Sequence, residues 1–404
     1  MKKKLYWRIV LIIVFLTVVL NLVAFSDSFC IWYSQNIYPL INAAVGTLTG
    51  WSKIAVGEII MYIGAVMVVL LAVFSIVGLI MLILKKKKFL KFWKSYSKTC
   101  LFVLVMFLFV YTVNWFIPFR KPVMTVGSDN RTDFTFEELE ILRNDVVDQI
   151  NEIVEIVPRD KDGHVICDFD QKEVFDLMKS RSDEYELLKG HYSPVKEALC
   201  SDELEWMGIG GYNYIYTMEG TYNRYTPPID LPILISHETC HNKGYYLENE
   251  ATFISSIILS ESDDLFLRYS GLKEMLKFIE EEYEIQCLEI IEHDPKLNEK
   301  YLEIKKEDGL TPNENISDSL KAALIFLKRY PQVSKQVYDD EWYSDYQAVE
   351  LYENNVNEVL KETTEEIFSD AAETGWDVQG EILKENTYSG ALLMYLQYYY
   401  SNKN

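Results

Sequence analysis

Residues 231–253 read LPILISHETCHNKGYYLENEATF, and this stretch predicts two helices joined by a short turn. Asp230 precedes it as a typical N-cap, Pro232 is tolerated in a first helical turn, and Gly244 stands where helices often end. These signals predict a first helix of about 13 residues. Its apolar side is formed by Leu231, Leu234 and Ile235. The second helix is expected to include Glu248.

The first of these helices carries the pattern HExxH, formed by His237, Glu238 and His241. Residues four apart lie on the same face of a helix, so the two imidazoles can bind one metal ion. Glu238, next to the first histidine, can then act as the general base on a water molecule. The pattern therefore predicts zinc (Zn2+) as the cofactor. The alternative is a surface helix with two incidental histidines.

A catalytic zinc site needs a third protein ligand, and two glutamates of the second helix are candidates. Glu248 is the first choice because it shares a helix face with small side chains, which allow the two helices to approach closely. These side chains are Ala251, Thr252 and Ser255. Glu250 shares its face with apolar residues and is the second choice. The glutamate that is not a ligand is expected to orient a ligand imidazole. The remaining histidines, which have no supporting pattern, are His164, His191 and His293.

The chain has 404 residues with 61 acidic and 39 basic side chains, and its net charge of −22 argues against a nucleic-acid-binding protein. The charge is unevenly distributed, since residues 1–120 contain 13 basic and only 2 acidic side chains. This part also contains three apolar runs, at about residues 9–25, 59–84 and 99–118. Each reaches or approaches the roughly 20 residues that span a bilayer. Residues 1–118 are therefore predicted to form a membrane domain with three transmembrane helices in a lipid bilayer.

Basic residues that flank the apolar runs predict how the chain is oriented in the cell membrane. Four precede the first run: Lys2, Lys3, Lys4 and Arg8. Seven lysines lie between the second and third runs, whereas only Lys53 lies between the first and second. The N terminus is thus expected in the cytoplasm, and residues 119–404 are expected to form an extracytoplasmic domain. The alternative for the first run is a signal peptide cleaved near Ser26, which would leave the rest oriented in the same way.

The segment 30–53, between the first two runs, is apolar but interrupted by Pro39, Gly46 and Gly50. It is predicted to lie on the outer membrane surface, and a plain loop is the alternative. Its aromatic residues are expected at the membrane interface, namely Trp32, Tyr33, Tyr38 and Trp51.

The extracytoplasmic part has mostly helical patterns. Thr135 and Glu138 form a capping-box pattern, with helical periodicity to about Val157, and a second helix is predicted near 171–189. Residues 206–225 alternate glycine and aromatic residues and predict one or two short strands. The six cysteines are scattered and predict no disulfide framework, although Cys167 and Cys200 are a conceivable pair. The fold class is therefore mainly α, with three transmembrane helices followed by an α-rich (α+β) domain. A short sheet is expected beside the HExxH helix.

HETCH followed by Glu-x-x-Ala, from Glu248 to Ala251, resembles the Glu-zincin metallopeptidases, in which the first glutamate of such a segment is the third ligand. The chain more closely resembles the bacterial membrane family known as domain of unknown function 3810. The segments that carry this resemblance are YSQNIYPLI at 33–41, LPILISHETCHNKGY at 231–245, ENEATF at 248–253 and YSGALLMYL at 388–396. The resemblance implies a zincin-like domain and a zinc peptidase. Thr252 departs from the Asn or Asp expected after the alanine.

These features together predict a membrane-bound zinc metallopeptidase that acts on a peptide or protein substrate. His237, His241 and Glu248 are expected to hold zinc, with Glu250 as the second choice for the third ligand, and Glu238 is expected to be the catalytic base. One alternative is a catalytically inactive zinc-binding membrane scaffold or interaction protein. Another is a different zinc hydrolase that acts on cell-wall peptides or other amides. Glu238 favours a hydrolase, because a purely structural zinc site has no use for it.

Overall fold

A computed structural model describes residues 2–84, 87–299, 332–356, 361, 364–369 and 390–403. Within these residues the chain is mainly helical, with three long apolar helices and one small sheet. The mainly α class, the three apolar helices and the sheet agree with the prediction from the sequence.

Three helical segments are long and apolar enough to cross a membrane: Lys4–Val23, Val56–Met81 and Lys91–Phe119. They belong to α1 (Lys2–Val23), to α4 (Val56–Ile83), and to α5 (Lys87–Tyr111) with its continuation through a π-helical turn (Thr112–Phe116) and α6 (Ile117–Phe119). Both α1 and α4 pack against α5. Most of their apolar side chains face outwards, as expected for helices surrounded by lipid. These features are compatible with a membrane protein.

The segment between the first two spans folds into α2 (Asp27–Asn36) and α3 (Tyr38–Thr49), so it is not a plain loop. Trp51 is 82% exposed and Trp32 is 50% exposed, whereas Tyr33 and Tyr38 are buried inside the protein. The buried face of α3 consists of Tyr38, Asn42, Gly46 and Thr49. These residues lie three or four positions apart, so they share one side of the helix. That side packs against the second half of the chain.

The second half contains most of the remaining helices. They are α7 (Phe136–Ile156), α8 (Gln171–Ser180), α9 (Ser201–Trp206), α10 (Leu231–Lys243), α11 (Glu248–Ser260), α12 (Leu265–His293), α13 (Lys335–Asn355) and α14 (Ala391–Lys403). The predicted capping box of Thr135 and Glu138 is present at the start of α7. The helix expected over 171–189 ends at Ser180, and a single 3-10 turn (Glu186–Leu188) follows.

The helices α7, α11, α12 and α14 form the main core of the second half. α11 is buried along its length between α10 and α12. The C-terminal α14 also packs on α11, where the hydroxyl groups of Ser256 and Tyr395 are 2.7 Å apart. Tyr388 and Ser389, the first two residues of the YSGALLMYL segment, lie outside the described residues.

The sheet has three short strands: β1 (Lys196–Glu197), β2 (Gly211–Tyr214) and β3 (Glu219–Tyr222). Their order is β1-β3-β2, so β2 lies at an edge. β3 is parallel to β1 and antiparallel to β2, with Tyr212 opposite Thr221. α10 packs against β2 and β3, so the sheet lies beside the HExxH helix as predicted.

The β2–β3 turn (residues 215–218) contacts the third span. The side-chain amide of Asn114 donates a hydrogen bond to the carbonyl oxygen of Ile215 at 2.6 Å. The ring of Phe107 stacks on that of Tyr216, with 4.2 Å between the centroids. These contacts fix one end of the sheet against α5 and the π-helical turn.

The sheet is also attached to the start of the second span. The Glu219 carboxylate accepts hydrogen bonds from the backbone N–H groups of Val56 at 3.1 Å and Gly57 at 2.9 Å. It also forms a buried ion pair with Lys196. A carboxylate at the N-terminal end of a helix is favoured by the helix dipole. The sheet thus contacts both α4 and the helical segment that continues α5, which positions the neighbouring α10 relative to these long apolar helices.

All six cysteines are free. The conceivable pairing of Cys167 with Cys200 is therefore absent.

Candidate metal centre and cleft

The helix α10 spans Leu231–Lys243, which agrees with the predicted length, and Gly244 ends it with a left-handed φ of 100°. Asp230 occupies the N-cap position as predicted, but its side chain makes no capping hydrogen bond. Its carboxylate instead accepts a hydrogen bond from Lys273 Nζ at 3.0 Å. This ion pair ties the start of α10 to α12.

The structure brings His237, His241 and Glu248 together. Glu248 Oε2 lies 3.1 Å from His237 Nε2 and 3.4 Å from His241 Nε2. One potential ligand atom from each residue lies within 4.8 Å of the others. These three side chains, His237, His241 and Glu248, are called the metal group below. Four-coordinate zinc with bonds of ~2.0–2.1 Å separates its ligand atoms by roughly 3.4 Å. The spacing of the three side chains and their nitrogen and oxygen donors therefore fit a metal ion.

Glu250, the second choice for the third ligand, points away from the histidines. Its buried carboxylate accepts hydrogen bonds from Lys121 Nζ at 2.8 Å and from the backbone N–H of Met124 at 2.6 Å. It thus anchors the segment that follows the third span and does not orient an imidazole as the sequence suggested. The two glutamates diverge because residues two apart on a helix point about 200° from each other.

Each histidine has a partner for its other ring nitrogen. His241 Nδ1 lies 2.8 Å from the carbonyl oxygen of Tyr245, so Nδ1 donates a hydrogen bond and Nε2 is the nitrogen that faces Glu248. His237 Nδ1 lies 3.5 Å from Thr252 Oγ1. Thr252 therefore occupies the position of an orienting residue, although its contact is long for a hydrogen bond.

Glu238 is buried beside the metal group, with only 4% of its surface exposed. Its Oε2 atom has no hydrogen-bond partner among the described residues. The strand β2 approaches it at Gly211, where an added Cβ would lie 2.5 Å from Glu238 Oε1 and 2.7 Å from the carbonyl oxygen of Thr221. A glycine is needed for this approach. Buried oxygens without a partner are rare in proteins, and this one is available to a bound molecule.

The charges in the metal group perturb one another. Burial raises the pKa of Glu238 to about 8 and lowers the pKa of His237. Burial alone would lower the pKa of His241, but the carboxylate of Glu248 outweighs it and raises that pKa to about 9. Burial likewise opposes the Glu248 charge, yet the two histidines hold its pKa well below the usual range. The metal-free group therefore keeps a proton on His241, in the place where a metal would supply positive charge.

The metal group lies in a cleft of about 1280 Å³. Its lining includes residues of β2, of α12 and α13, and of the third span, namely Tyr111 and Trp115. Among the lining residues only Lys277 is basic apart from the two histidines. The acidic lining residues are Glu205, Asp230, Glu238, Glu248, Glu274 and Asp345. The cleft is therefore strongly acidic.

The edge strand β2 presents unsatisfied polar groups to this cleft. The backbone N–H of Asn223 donates to the carbonyl oxygen of Gly210. Since backbone groups alternate in direction along an antiparallel strand, those of Gly211 and Asn213 face the open edge. The side-chain amide of Asn213 is buried, and neither its oxygen nor its nitrogen has a partner among the described residues.

The remaining histidines of the sequence lie outside the metal group. His164 stacks on Tyr343, and the ring of His191 lies 3.2 Å from the Ser193 hydroxyl. His293 contacts the carbonyl oxygen of Glu289.

Sequence reasoning missed several residues that support the site. Tyr246 lines the cleft, and its ring is nearly parallel to that of His241, with 6.2 Å between the centroids. Its hydroxyl lies 2.9 Å from that of Tyr38 in α3, which also donates to the carbonyl oxygen of Asn242 at 3.0 Å. Asn42 of α3 also bonds to Asn242. Tyr38 belongs to the YSQNIYPLI segment, so the resemblance contained a signal, whereas nothing in the sequence pointed to Asn42 or Gly211.

Comparison with known proteins identifies the family of the chain. No curated protein and no solved structure matches the chain. The sequence model of the family described as protein of unknown function DUF3810 matches residues 33–346, which include α3, the sheet and the complete metal group. Because the match covers well over half of the 404 residues, the chain belongs to this family.

Proposed function

We propose that the protein is a membrane-bound zinc metallopeptidase, and the main support is the convergence of His237, His241 and Glu248 beside the unpartnered carboxylate of Glu238. The three converging side chains would hold zinc. When bound, zinc would supply a Lewis acid that polarises a carbonyl group and lowers the pKa of a water molecule. The remaining chemistry belongs to residues of the chain.

Glu238 is proposed as the general base. It is adjacent in sequence to His237 but is not one of the three converging side chains, so it remains available for proton transfer. Burial raises its pKa to about 8, and the positive charge of bound zinc would favour its ionised form. Glu238 Oε2 would take the proton from the attacking water and return it to the nitrogen of the leaving amine. The close approach of Gly211 would keep this carboxylate oriented towards the cleft.

The open edge of β2 supports a peptide as the substrate. An extended peptide can add to an exposed sheet edge through main-chain hydrogen bonds, here with the backbone groups of Gly211 and Asn213. The amide of Asn213 offers a further donor and acceptor to such a chain. A bound peptide would thus lie beside Glu238, which contacts the same strand.

The test is the Glu238→Gln variant of the full chain. Glutamine keeps the size of the side chain but cannot accept the proton, so zinc content and fold should persist while turnover falls by ~10²–10⁴-fold. The measurements are metal analysis of the purified protein and comparison of membrane and secreted proteomes from wild-type and Glu238→Gln strains. Glu197→Gln, an exposed glutamate on β1, is the matched control.

The scaffold alternative predicts a different outcome. A Glu238→Gln protein that retains zinc and leaves every peptide and phenotype unchanged, while deletion of the protein has a clear effect, would contradict the peptidase proposal.

A further inference from the structure

The cleft that contains the metal group is continuous with a membrane helix. Tyr111 and Trp115 line it, and both belong to the span Lys91–Phe119. The rings of these two residues are 5.0 Å apart, and Trp115 stacks on Phe119 with 4.4 Å between centroids. An aromatic ladder on the third span therefore forms part of the site.

This ladder lies near one end of the span. Trp115 and Phe119 follow the start of the third apolar run, near residue 99, by 16 and 20 residues, or ~24–30 Å of helix, which approaches the thickness of the hydrocarbon core. Aromatic residues at such a position typically lie at the membrane–water interface. The cleft thus reaches the level expected for the bilayer surface at Trp115, and Tyr111 lines it one helical turn further into the span.

Glu238 lies a short distance from the part of the sheet that contacts the third span. The β2–β3 turn contacts the span through Ile215 and Tyr216. Gly211, which contacts Glu238, is four residues earlier on an extended strand. At ~3.3 Å per residue, four residues span about 13 Å. Glu238 is therefore only about 13 Å from a turn that rests against the membrane helix.

From these contacts we infer that the substrate is a polypeptide anchored in the same membrane, cut in the segment where it leaves the bilayer. The inference rests on the proposed peptidase function. A chain that emerges beside Tyr111 and Trp115 covers 13 Å in about four extended residues and then lies along β2 at Glu238. Anchoring in two dimensions also raises the effective concentration of such a segment. A soluble peptide of the same sequence has neither advantage.

The test uses the full-length protein in phospholipid vesicles with zinc, and three forms of one random decapeptide library. The first form is attached to a single-span poly-leucine helix through two residues, the second to the same helix through a 30-residue Gly-Ser spacer, and the third is free in solution. Cleavage of the two-residue form should be faster than that of the other two by about tenfold or more. Both anchored forms are concentrated on the vesicle, but only the two-residue form holds the library next to the bilayer. Comparing them therefore shows whether the position of the cleaved segment matters beyond its concentration.

Two variants test the residues of the third span that line the cleft. Tyr111→Ala and Trp115→Ala should reduce cleavage of the two-residue form while cleavage of the free library and zinc content remain, which also shows that the variants are folded. Trp51→Ala removes a largely exposed aromatic residue outside the cleft and should change neither rate.

The outcomes distinguish the two proposals. Equal cleavage of the two anchored forms, or faster cleavage of the free library, would overturn the inference and leave a peptidase with soluble substrates. If wild type cuts no form faster than Glu238→Gln does, the peptidase proposal fails and this inference fails with it.

Discussion

Two glutamates only two positions apart have different environments in this protein. Glu248 meets both histidines, whereas Glu250 pairs with Lys121 and is completely buried. The small side chains on the Glu248 face, which allow α10 and α11 to pack closely, already favoured this arrangement in the sequence. The partner of Glu250 could not be predicted, because Lys121 lies 129 positions earlier.

Replacement of these glutamates should affect zinc binding unequally. Glu248→Ala removes a proposed ligand and should abolish most zinc affinity. Glu250→Ala removes a contact outside the metal group, and losses of that kind are typically ~10–100-fold or smaller. Metal analysis and zinc titration of the full-length variants provide the measurement. An empty site in Glu250→Ala, with a normal zinc content in Glu248→Ala, would reverse the assignment.

Zinc affinity should depend on pH through His241. Because Glu248 raises the pKa of this imidazole to about 9 in the metal-free protein, it carries a proton at neutral pH. Zinc binding must release that proton, so apparent affinity should rise by about tenfold per pH unit from pH 7 towards pH 9 and then level off. Calorimetry in two buffers with different ionisation enthalpies counts the released protons. Binding at pH 7 without proton release would contradict the raised pKa.

At the scale of elements, helices with local start and stop signals were predictable and those without such signals were not. α10 begins after Asp230 and ends at Gly244 as expected, and α7 has its predicted capping box. The segment of α3 was expected on the membrane surface from its apolar and aromatic residues, and its contact with α10, about 200 positions later, was not foreseen. No local pattern reveals a partner at that distance, and the open edge of β2 was hidden for the same reason.

The contact between α3 and α10 should contribute to stability. Tyr38→Phe removes the hydroxyl that donates to the Asn242 carbonyl oxygen and contacts Tyr246, which leaves buried polar atoms with fewer partners. Such a loss costs about 1–3 kcal/mol. Thermal unfolding of the detergent-solubilised full chain should show a lower midpoint and earlier release of zinc.

A matched control for this change is Tyr338→Phe, since Tyr338 is 54% exposed. It should unfold like wild type. Equal unfolding midpoints for Tyr38→Phe and wild type would show that the Tyr38 hydroxyl does not stabilise the contact between α3 and α10.

At the scale of the whole molecule, the three spans agree with the apolar runs of the sequence, whereas the orientation remains a prediction from the lysines. A cysteine at Asn130, next to Asp129, should react with a membrane-impermeant thiol reagent in intact cells, and one at Lys91 should react only after lysis. Both positions are exposed, so burial does not decide the result. Unaltered protein, which contains six native cysteines, supplies the background signal. The reverse labelling pattern would place the metal group in the cytoplasm.

The long separation between α3 and α10 has a consequence for how the protein is made. The ribosome produces α3 before the second and third spans, and the residues it supports, Asn242 and Tyr246, emerge about 200 positions later. The sheet that flanks α10 is itself fastened to the start of α4 and the end of α5. The helix α10 can therefore acquire its full set of neighbours, α3 and the attached sheet, only after all three spans are in place. A metal centre at His237, His241 and Glu248 is therefore predicted to be completed only after the chain has reached its membrane.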